Sequence, residues 1–221
     1  MSVYLEPRNP VGGLSRLTFP YTPQIDYSAD VKYDTYNTTH TNYQMYGYTR
    51  SENPQISLNC KFSAHTFEHF RLSEYAIRFL RTYSKMNYGR TDAQRGQTPR
   101  ILRFFAYGTQ IFDNVPVVIS KFNMTFPDDV DYMVGKFDAD NRLLGSIDSV
   151  RSTQVPTNQT SASGGQPPVV YSGNKDEFEL YLPSFFQIGI SLLMQPNLYR
   201  TVNEFNLEDF AAGRLSTKGY I

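Results

Sequence analysis

The sequence predicts a mainly β protein, an antiparallel two-sheet sandwich or barrel with one flanking α-helix at about residues 66–86. Several runs alternate apolar and polar residues with a period of two, which is typical of half-buried antiparallel strands. One long segment alone follows the 3.6-residue period of an amphipathic helix. The chain also contains 17 Tyr and 16 Phe but no Trp, and such aromatic residues favour strands and interfaces.

Composition limits the classes of function. The 221 residues carry 21 basic and 21 acidic side chains, so no net charge indicates nucleic acid or an anionic membrane as a partner. The single cysteine, Cys60, lies in an alternating run, and we expect a buried, inert thiol. No apolar run reaches the roughly 18 residues of a membrane span, and the N-terminus does not resemble a signal peptide. We therefore expect folding in a reducing cytoplasm without membrane insertion.

The chain divides into three predicted regions. Residues 1–24 are rich in Pro and Gly and predict an extended arm, either flexible or held by a neighbouring molecule. Residues 25–200 form the predicted β domain, and residues 201–221 form a C-terminal segment with a short helix. The domain opens on an alternating run whose predicted core face is Tyr27, Ala29, Val31 and Tyr33. The Thr/Tyr-rich run to Thr49 continues this strand or turns near Asn37 and returns.

A second alternating strand follows Pro54, with Ile56, Leu58, Cys60 and Phe62 directed inwards. The helix at 66–86 then has Thr66 as its expected N-cap. A hairpin follows, with strands at 101–107 and 115–126 joined by a turn at 108–114. The last long strand alternates from Phe186 to Met194. Residues 138–177 lose this periodicity and predict a long flexible loop, with another strand beginning near Val130.

One motif could carry chemistry. The residues His65, Glu68 and His69 match H-x-x-E-H, in which two histidines bind zinc and the glutamate acts as general base. The motif requires both histidines on one helix, whereas His65 precedes the expected N-cap. The alternative is that both histidines satisfy backbone groups at a strand-to-helix corner. We favour this alternative and predict no metal, no cofactor and no catalytic site.

Two charged segments are also candidates for an ion-binding site. Asp128, Asp129 and Asp131 could bind a divalent cation, and the arginines of residues 90–100 could bind phosphate. A solvated turn and an exposed loop are the simpler interpretations. The Tyr-rich stretch at 27–48 leaves open a carbohydrate-binding β-sandwich, although its tyrosines alternate as a core face does.

Several segments in a fixed order carry a family resemblance. These are the helix "EYAIRFLRTYSKMNYGR", the hairpin and following strand "RILRFFAYGTQIFDNVPVVISKFNMTFPDDVDYMV", the strand "LPSFFQIGISLLMQP" and the terminal "FNLEDFAAGRLSTKGYI". Together they resemble the baseplate tail-tube proteins, the tube initiators, of contractile-tailed bacteriophages. The resemblance runs from about Pro54 to the C-terminus and excludes residues 138–177.

The resemblance implies a tail-tube fold and a structural role in the virion, assembled in the cytoplasm of a bacterial host. Six copies of such a protein close into a ring around a channel. The ring joins the central hub and spike to the tail tube and templates tube polymerisation. Genomic DNA then passes through the channel only as cargo, and we expect a channel surface that is polar and not basic. An ordinary tail-tube or neck ring protein of the same fold is the nearest alternative.

The resemblance also suggests where subunits meet. The strand at 117–126 has apolar residues on both predicted faces, with Val117 and Ile119 on one and Val118, Phe122, Met124 and Phe126 on the other. A fully buried strand of a monomeric sandwich would show the same pattern. The C-terminal segment carries small apolar patches without an obvious place in the core. The predicted subunit interface therefore comprises Val117, Ile119, Phe122, Phe205, Leu207, Phe210 and Leu215.

Overall fold

The computed structural model describes residues 3–137, 143–150 and 178–221, and these residues confirm a mainly β, antiparallel fold with few helices. Two compact units are present. The first contains residues 1–62, 75–125 and 187–221, and the second contains residues 63–74 and 126–186.

The first unit is built on a seven-stranded sheet. Its strands are β1 (Tyr4–Pro7), β2 (Leu17–Thr18), β3 (Gln24–Ser28), β6 (Gln55–Ser63), β7 (Leu102–Ala106), β8 (Phe112–Thr125) and β12 (Phe185–Met194). Their order across the sheet is β2-β1-β7-β8-β12-β6-β3. Among the described strands this sheet does not close into a barrel, because it starts at β2 and ends at β3.

Smaller elements complete the fold. A two-stranded hairpin in the first unit comprises β4 (Val31–Tyr36) and β5 (Met45–Ser51). The second unit holds a three-stranded sheet of β10 (Leu143–Val150), β9 (Tyr132–Phe137) and β11 (Phe178–Pro183), in that order. The helices are α1 (Phe67–Tyr83), α2 (Leu198–Glu204), α3 (Leu207–Ala211) and a 3-10 helix at Ser216–Lys218.

The helix predicted at 66–86 is confirmed as α1, with Thr66 at its N-cap. The Thr66 hydroxyl accepts a hydrogen bond from the His69 backbone N–H at 3.3 Å, and the Thr66 carbonyl accepts from the Phe70 N–H at 2.9 Å. The helix buries its apolar positions, as its period predicts. These are Phe70, Ala76, Phe79, Leu80 and Tyr83.

The N-terminal segment is not the arm that its Pro and Gly content predicted. β1 pairs with β7 along its whole length, and Leu5 and Leu17 are fully buried. The Tyr83 hydroxyl of α1 donates to the Leu14 carbonyl at 2.6 Å and accepts from the Val11 N–H at 3.1 Å. The prolines and glycines therefore mark turns between short paired strands of the same chain.

The hairpin predicted at 101–126 is confirmed as β7 and β8, with β8 starting earlier than expected, at Phe112. The predicted inward residues of β6 are also confirmed, since Ile56, Leu58, Cys60 and Phe62 are all buried. Part of the loop predicted at 138–177 is wrong, because residues 143–150 form β10 and pair with β9. The remainder of that prediction lies outside the described residues.

A β-bulge at Ser120 corrects the predicted faces of β8. Leu192 of β12 lies opposite Ile119, whereas the preceding residue, Ser191, lies opposite Lys121, so Ser120 is the extra residue. The bulge shifts the alternation by one position. Phe122 and Met124 consequently lie on the same face as Val117 and Ile119, opposite the buried residues Met194, Leu192, Ile190 and Ile188.

We predict that Cys60 is unreactive in the folded chain. Its side chain is fully buried in β6, and desolvation raises the pKa of the thiol to about 12. Almost no thiolate is then available for attack at neutral pH. An aromatic disulfide reagent should label less than one tenth of the native chain over an hour and all of it in guanidinium. Rapid stoichiometric labelling of native protein would contradict this burial.

Candidate assembly surface

The β4–β5 hairpin carries an exposed apolar surface, because the pairing of its strands places tyrosines together. Tyr33 lies opposite Tyr48, and Thr35 lies opposite Tyr46, so these residues share one face. The rings of Tyr33 and Tyr48 meet edge to face, with their centroids 6.0 Å apart. We call Tyr33, Tyr46 and Tyr48 the tyrosine face.

The opposite face of the hairpin is arranged around a glycine. Tyr36 packs over Gly47, where a Cβ atom would lie 2.3 Å from the tyrosine ring, so a larger residue would displace the ring. At the open end of the hairpin Lys32 lies opposite Arg50, which would repel it. Glu52 forms ion pairs with both, and its hydrogen bond from Lys32 lowers the pKa of this carboxyl group.

The tyrosine face is open to solvent. The three tyrosines are 57–65% exposed, and every residue of β4 is exposed. The prediction that Tyr27, Ala29, Val31 and Tyr33 form a core face is therefore wrong, whereas the turn back near Asn37 is confirmed. The alternation was real, but the apolar side is not covered by the described part of this chain. A two-stranded hairpin without a covered face is marginally stable in water, which indicates that something else covers it.

The C-terminal segment presents a second exposed apolar surface. Leu198 and Val202 of α2 and Leu207 of α3 are more than 70% exposed. Phe205 and Phe210 are partly exposed and contact each other, with ring centroids 5.7 Å apart. Asn197 and Asn206 cap the two helices through their side chains, so this segment is ordered although its apolar residues face solvent.

The predicted interface residues therefore separate into two groups. Leu207, Phe205 and Phe210 are accessible. Val117 and Leu215 are buried within the chain itself, at 0% and 2% exposure, so they cannot contact a neighbour in this conformation. Ile119 and Phe122 are half-buried on the core face of β8. Sequence reasoning missed the tyrosine face because it assigned the alternating tyrosines to the core.

One part of the outer face of the large sheet is polar, namely β3, β6 and the paired residues 121–125 of β8 and 187–191 of β12. Directly opposed residues on β8 and β12 include Lys121 with Ser191, Asn123 with Gly189 and Thr125 with Gln187. Gly189 lies close beneath the Asn123 amide, since a Cβ there would come within 2.5 Å of Oδ1. On β3 and β6 the corresponding outward residues are Gln24, Asp26, Ser28, Gln55, Ser57, Asn59 and Lys61. These outward residues include few charged side chains and no large apolar side chain.

The H-x-x-E-H residues do not share a helix. His65 lies in a bend before the N-cap, while Glu68 and His69 lie in the first turn of α1. The Nδ1 atom of His69 is 3.3 Å from the Ser63 hydroxyl, which is a side-chain contact at the strand-to-helix corner and not the predicted contact with a backbone group. Across the residues described, no group of three or more His, Cys, Asp or Glu side chains is placed to hold a metal ion.

Comparison with known proteins finds no matching family model and no significantly similar curated protein. No helix in the described ranges is long and apolar enough to span a bilayer.

Proposed function

We propose that this chain is a ring-forming structural protein of a contractile phage baseplate. In this role copies of the chain join the central hub to the tail tube and template tube polymerisation in the host cytoplasm. The observation that carries the proposal is the exposed tyrosine face, on a hairpin that residues 3–137, 143–150 and 178–221 leave uncovered. The resemblance to baseplate tail-tube proteins, from about Pro54 to the C-terminus without residues 138–177, supports this kind of assembly.

A neighbouring copy is the occupant that fits the tyrosine face. Tyrosine offers a large rigid contact area at low entropic cost and tolerates water before assembly through its hydroxyl. The second exposed surface, on α2 and α3, consists mainly of aliphatic and phenylalanine side chains and lies in a different part of the chain. Two unlike surfaces on one subunit suit heterologous contacts, which close into a ring when the rotation between subunits allows it.

The polar sheet face suits the lining of a channel for DNA. Its outward side chains are mainly amides, hydroxyls and glycine, with Lys61 and Lys121 partly balanced by Asp26. A strongly basic lining would retain DNA through phosphate contacts, whereas a polar lining permits the DNA to slide. We therefore assign this face to the channel of the proposed ring.

The test is the particle mass of purified protein, measured by light scattering after gel filtration, alone and mixed with its hub. The expected wild-type mass is about six times the 25.4 kDa chain mass. A triple variant, Tyr33→Ser with Tyr46→Ser and Tyr48→Ser, should stay folded by circular dichroism but remain at the single-chain mass, because it loses the aromatic contact area.

A matched control is Tyr88→Ser, which removes a tyrosine that is 75% exposed outside the hairpin and should leave the mass unchanged. A wild-type chain that stays monomeric with and without the hub would contradict the proposal. Electron microscopy separates the nearest alternative, since an ordinary tube protein extends into long tubes and an initiator stops at a ring until tube subunits are added.

The exposed tyrosines favour one second candidate, a carbohydrate-binding domain, because aromatic faces stack on sugars. In that case the triple tyrosine variant would lose retention on a polysaccharide column while the wild-type chain remained monomeric. If the triple tyrosine variant is retained on the column as strongly as the Tyr88→Ser control, the carbohydrate-binding candidate is excluded.

A further inference from the structure

A cavity of about 550 Å³ in the first unit is lined by basic side chains. Arg8, Arg103, Arg200 and Lys218 come from four separate parts of the chain, and no Asp or Glu is among the described residues that line the cavity. The remaining lining includes amide and hydroxyl side chains such as Asn114 and Thr201. In a chain of zero net charge, four cations around one cavity form a local site for an anionic partner.

These cations are largely unpaired. Among the described residues, Arg8, Arg103 and Lys218 have no ion pair, and Arg200 has only a long contact of 3.9 Å to Glu204. Glu6 lies opposite Arg103 across β1 and β7, but its carboxylate pairs with Arg16 at 3.2 Å. The positive charge of the cavity is therefore not neutralised by the part of its own chain that is described.

The complementary charge is present elsewhere on the same sequence. Asp128, Asp129 and Asp131 lie in the loop between β8 and β9, and all three are exposed. The loop is held at its ends, since the Ser184 N–H donates to the Asp131 carbonyl at 2.7 Å and the Tyr132 hydroxyl donates to the Pro127 carbonyl at 3.4 Å. In the described ranges these carboxylates form no ion pair.

We infer that the basic cavity of one copy binds the acidic loop, Asp128 to Asp131, of the next copy. This inference rests on the proposed ring and adds the contact that sets its direction. Cavity and loop are different surfaces, so each copy uses its cavity towards one neighbour and its loop towards the other, as a heterologous ring requires. Electrostatic complementarity of this kind accelerates encounter and fixes the register of subunits.

The test is a charge exchange in the full chain. The cavity variant carries Arg103→Glu with Arg200→Glu, and the loop variant carries Asp128→Lys with Asp129→Lys. Each variant alone is expected to raise the dissociation constant for self-association about tenfold or more, because two of the four cavity charges, or two of the three loop charges, then repel the opposing surface. A 1:1 mixture should restore the assembly, since the introduced glutamates of one chain face the introduced lysines of the other, and the remaining contact is the wild-type cavity with the wild-type loop. Such restoration also shows that the contact joins different chains.

The matched control is Arg90→Glu with Arg95→Glu, which makes the same charge change in the exposed loop after α1 and should not alter the mass. If a reversed variant fails to fold, neutral variants replace it, Arg103→Gln with Arg200→Gln and Asp128→Asn with Asp129→Asn. Mixing these two variants should give heterodimers, because the only intact contact joins the acidic loop of the cavity variant to the basic cavity of the loop variant.

The inference is overturned if folded variants assemble as the wild type does, or if the mixture stays monomeric. Wild-type rings that tolerate the charge reversals would leave the proposed function standing and remove this contact alone. A monomeric wild-type chain, with or without the hub, would remove both.

Discussion

Replacing Leu5 by alanine is expected to lower the free energy of unfolding by about 2–5 kcal/mol. Leu5 is fully buried in β1, where it lies between Leu17 of β2 and Phe104 of β7. The truncation leaves a cavity that two paired strands cannot readily close. Urea denaturation followed by far-ultraviolet circular dichroism measures the change.

The control for this substitution is Glu6→Ala, the next residue of the same strand on its outer face. Glu6 pairs with Arg16 on a largely solvated surface, and its removal should cost no more than about 1 kcal/mol. Equal effects of the two substitutions would mean that the segment behaves as a loose arm, as its Pro and Gly content predicted.

Deleting Ser120 is expected to lower the free energy of unfolding by more than about 4 kcal/mol, which is enough to prevent folding of many domains. Ser120 is the extra residue of the bulge in β8. Without it, the alternation continues unbroken, so either Phe122 and Met124 or Val117 and Ile119 must turn away from the core. Expression, followed by thermal unfolding of any soluble product, measures the effect.

The control is Ser120→Ala, which keeps the bulge and removes only the hydrogen bond from the serine hydroxyl to the Ser191 carbonyl. That exposed bond is expected to contribute about 0.5–1.5 kcal/mol. A deletion variant as stable as Ser120→Ala would show that β8 can repair its register elsewhere.

Patterns confined to one segment predicted the structure well. β6 and β12 alternate over nine and ten residues, and α1 follows its period over 17 residues, so each pattern is long enough to be read without its neighbours. The pair β7 and β8 is also local, since a short turn joins the strands. In these elements the burial follows directly from residue order.

Features that depend on pairing could not be read from the sequence. β1 and β2 have four and two residues, too few for any period, and their stability comes from pairing with a distant strand. The bulge at Ser120 exists only relative to β12. Composition gave no sign of either, because pairing is a property of two segments.

The candidate surface shows a further limit of sequence patterns. Alternating tyrosines indicate that one side of a strand is to be covered, but they do not say whether the cover comes from the same chain. The basic cavity was equally hidden, because Arg8, Arg103, Arg200 and Lys218 are far apart in sequence and only the fold brings them around one space.

The position of β12 in the large sheet has a consequence for synthesis on the ribosome. β12 lies between β6 and β8, yet it is the last strand of the sheet to be made. About 130 residues separate the end of β6 from the end of β12, which at roughly 5–20 residues per second takes on the order of ten seconds. During this time every nascent chain has an open strand edge on β6, and on β8 as well once residue 125 has been made, and such edges favour aggregation. A chain that terminates before β12 holds two separate sheet fragments, so truncated products lack the sheet on which a complete subunit is built.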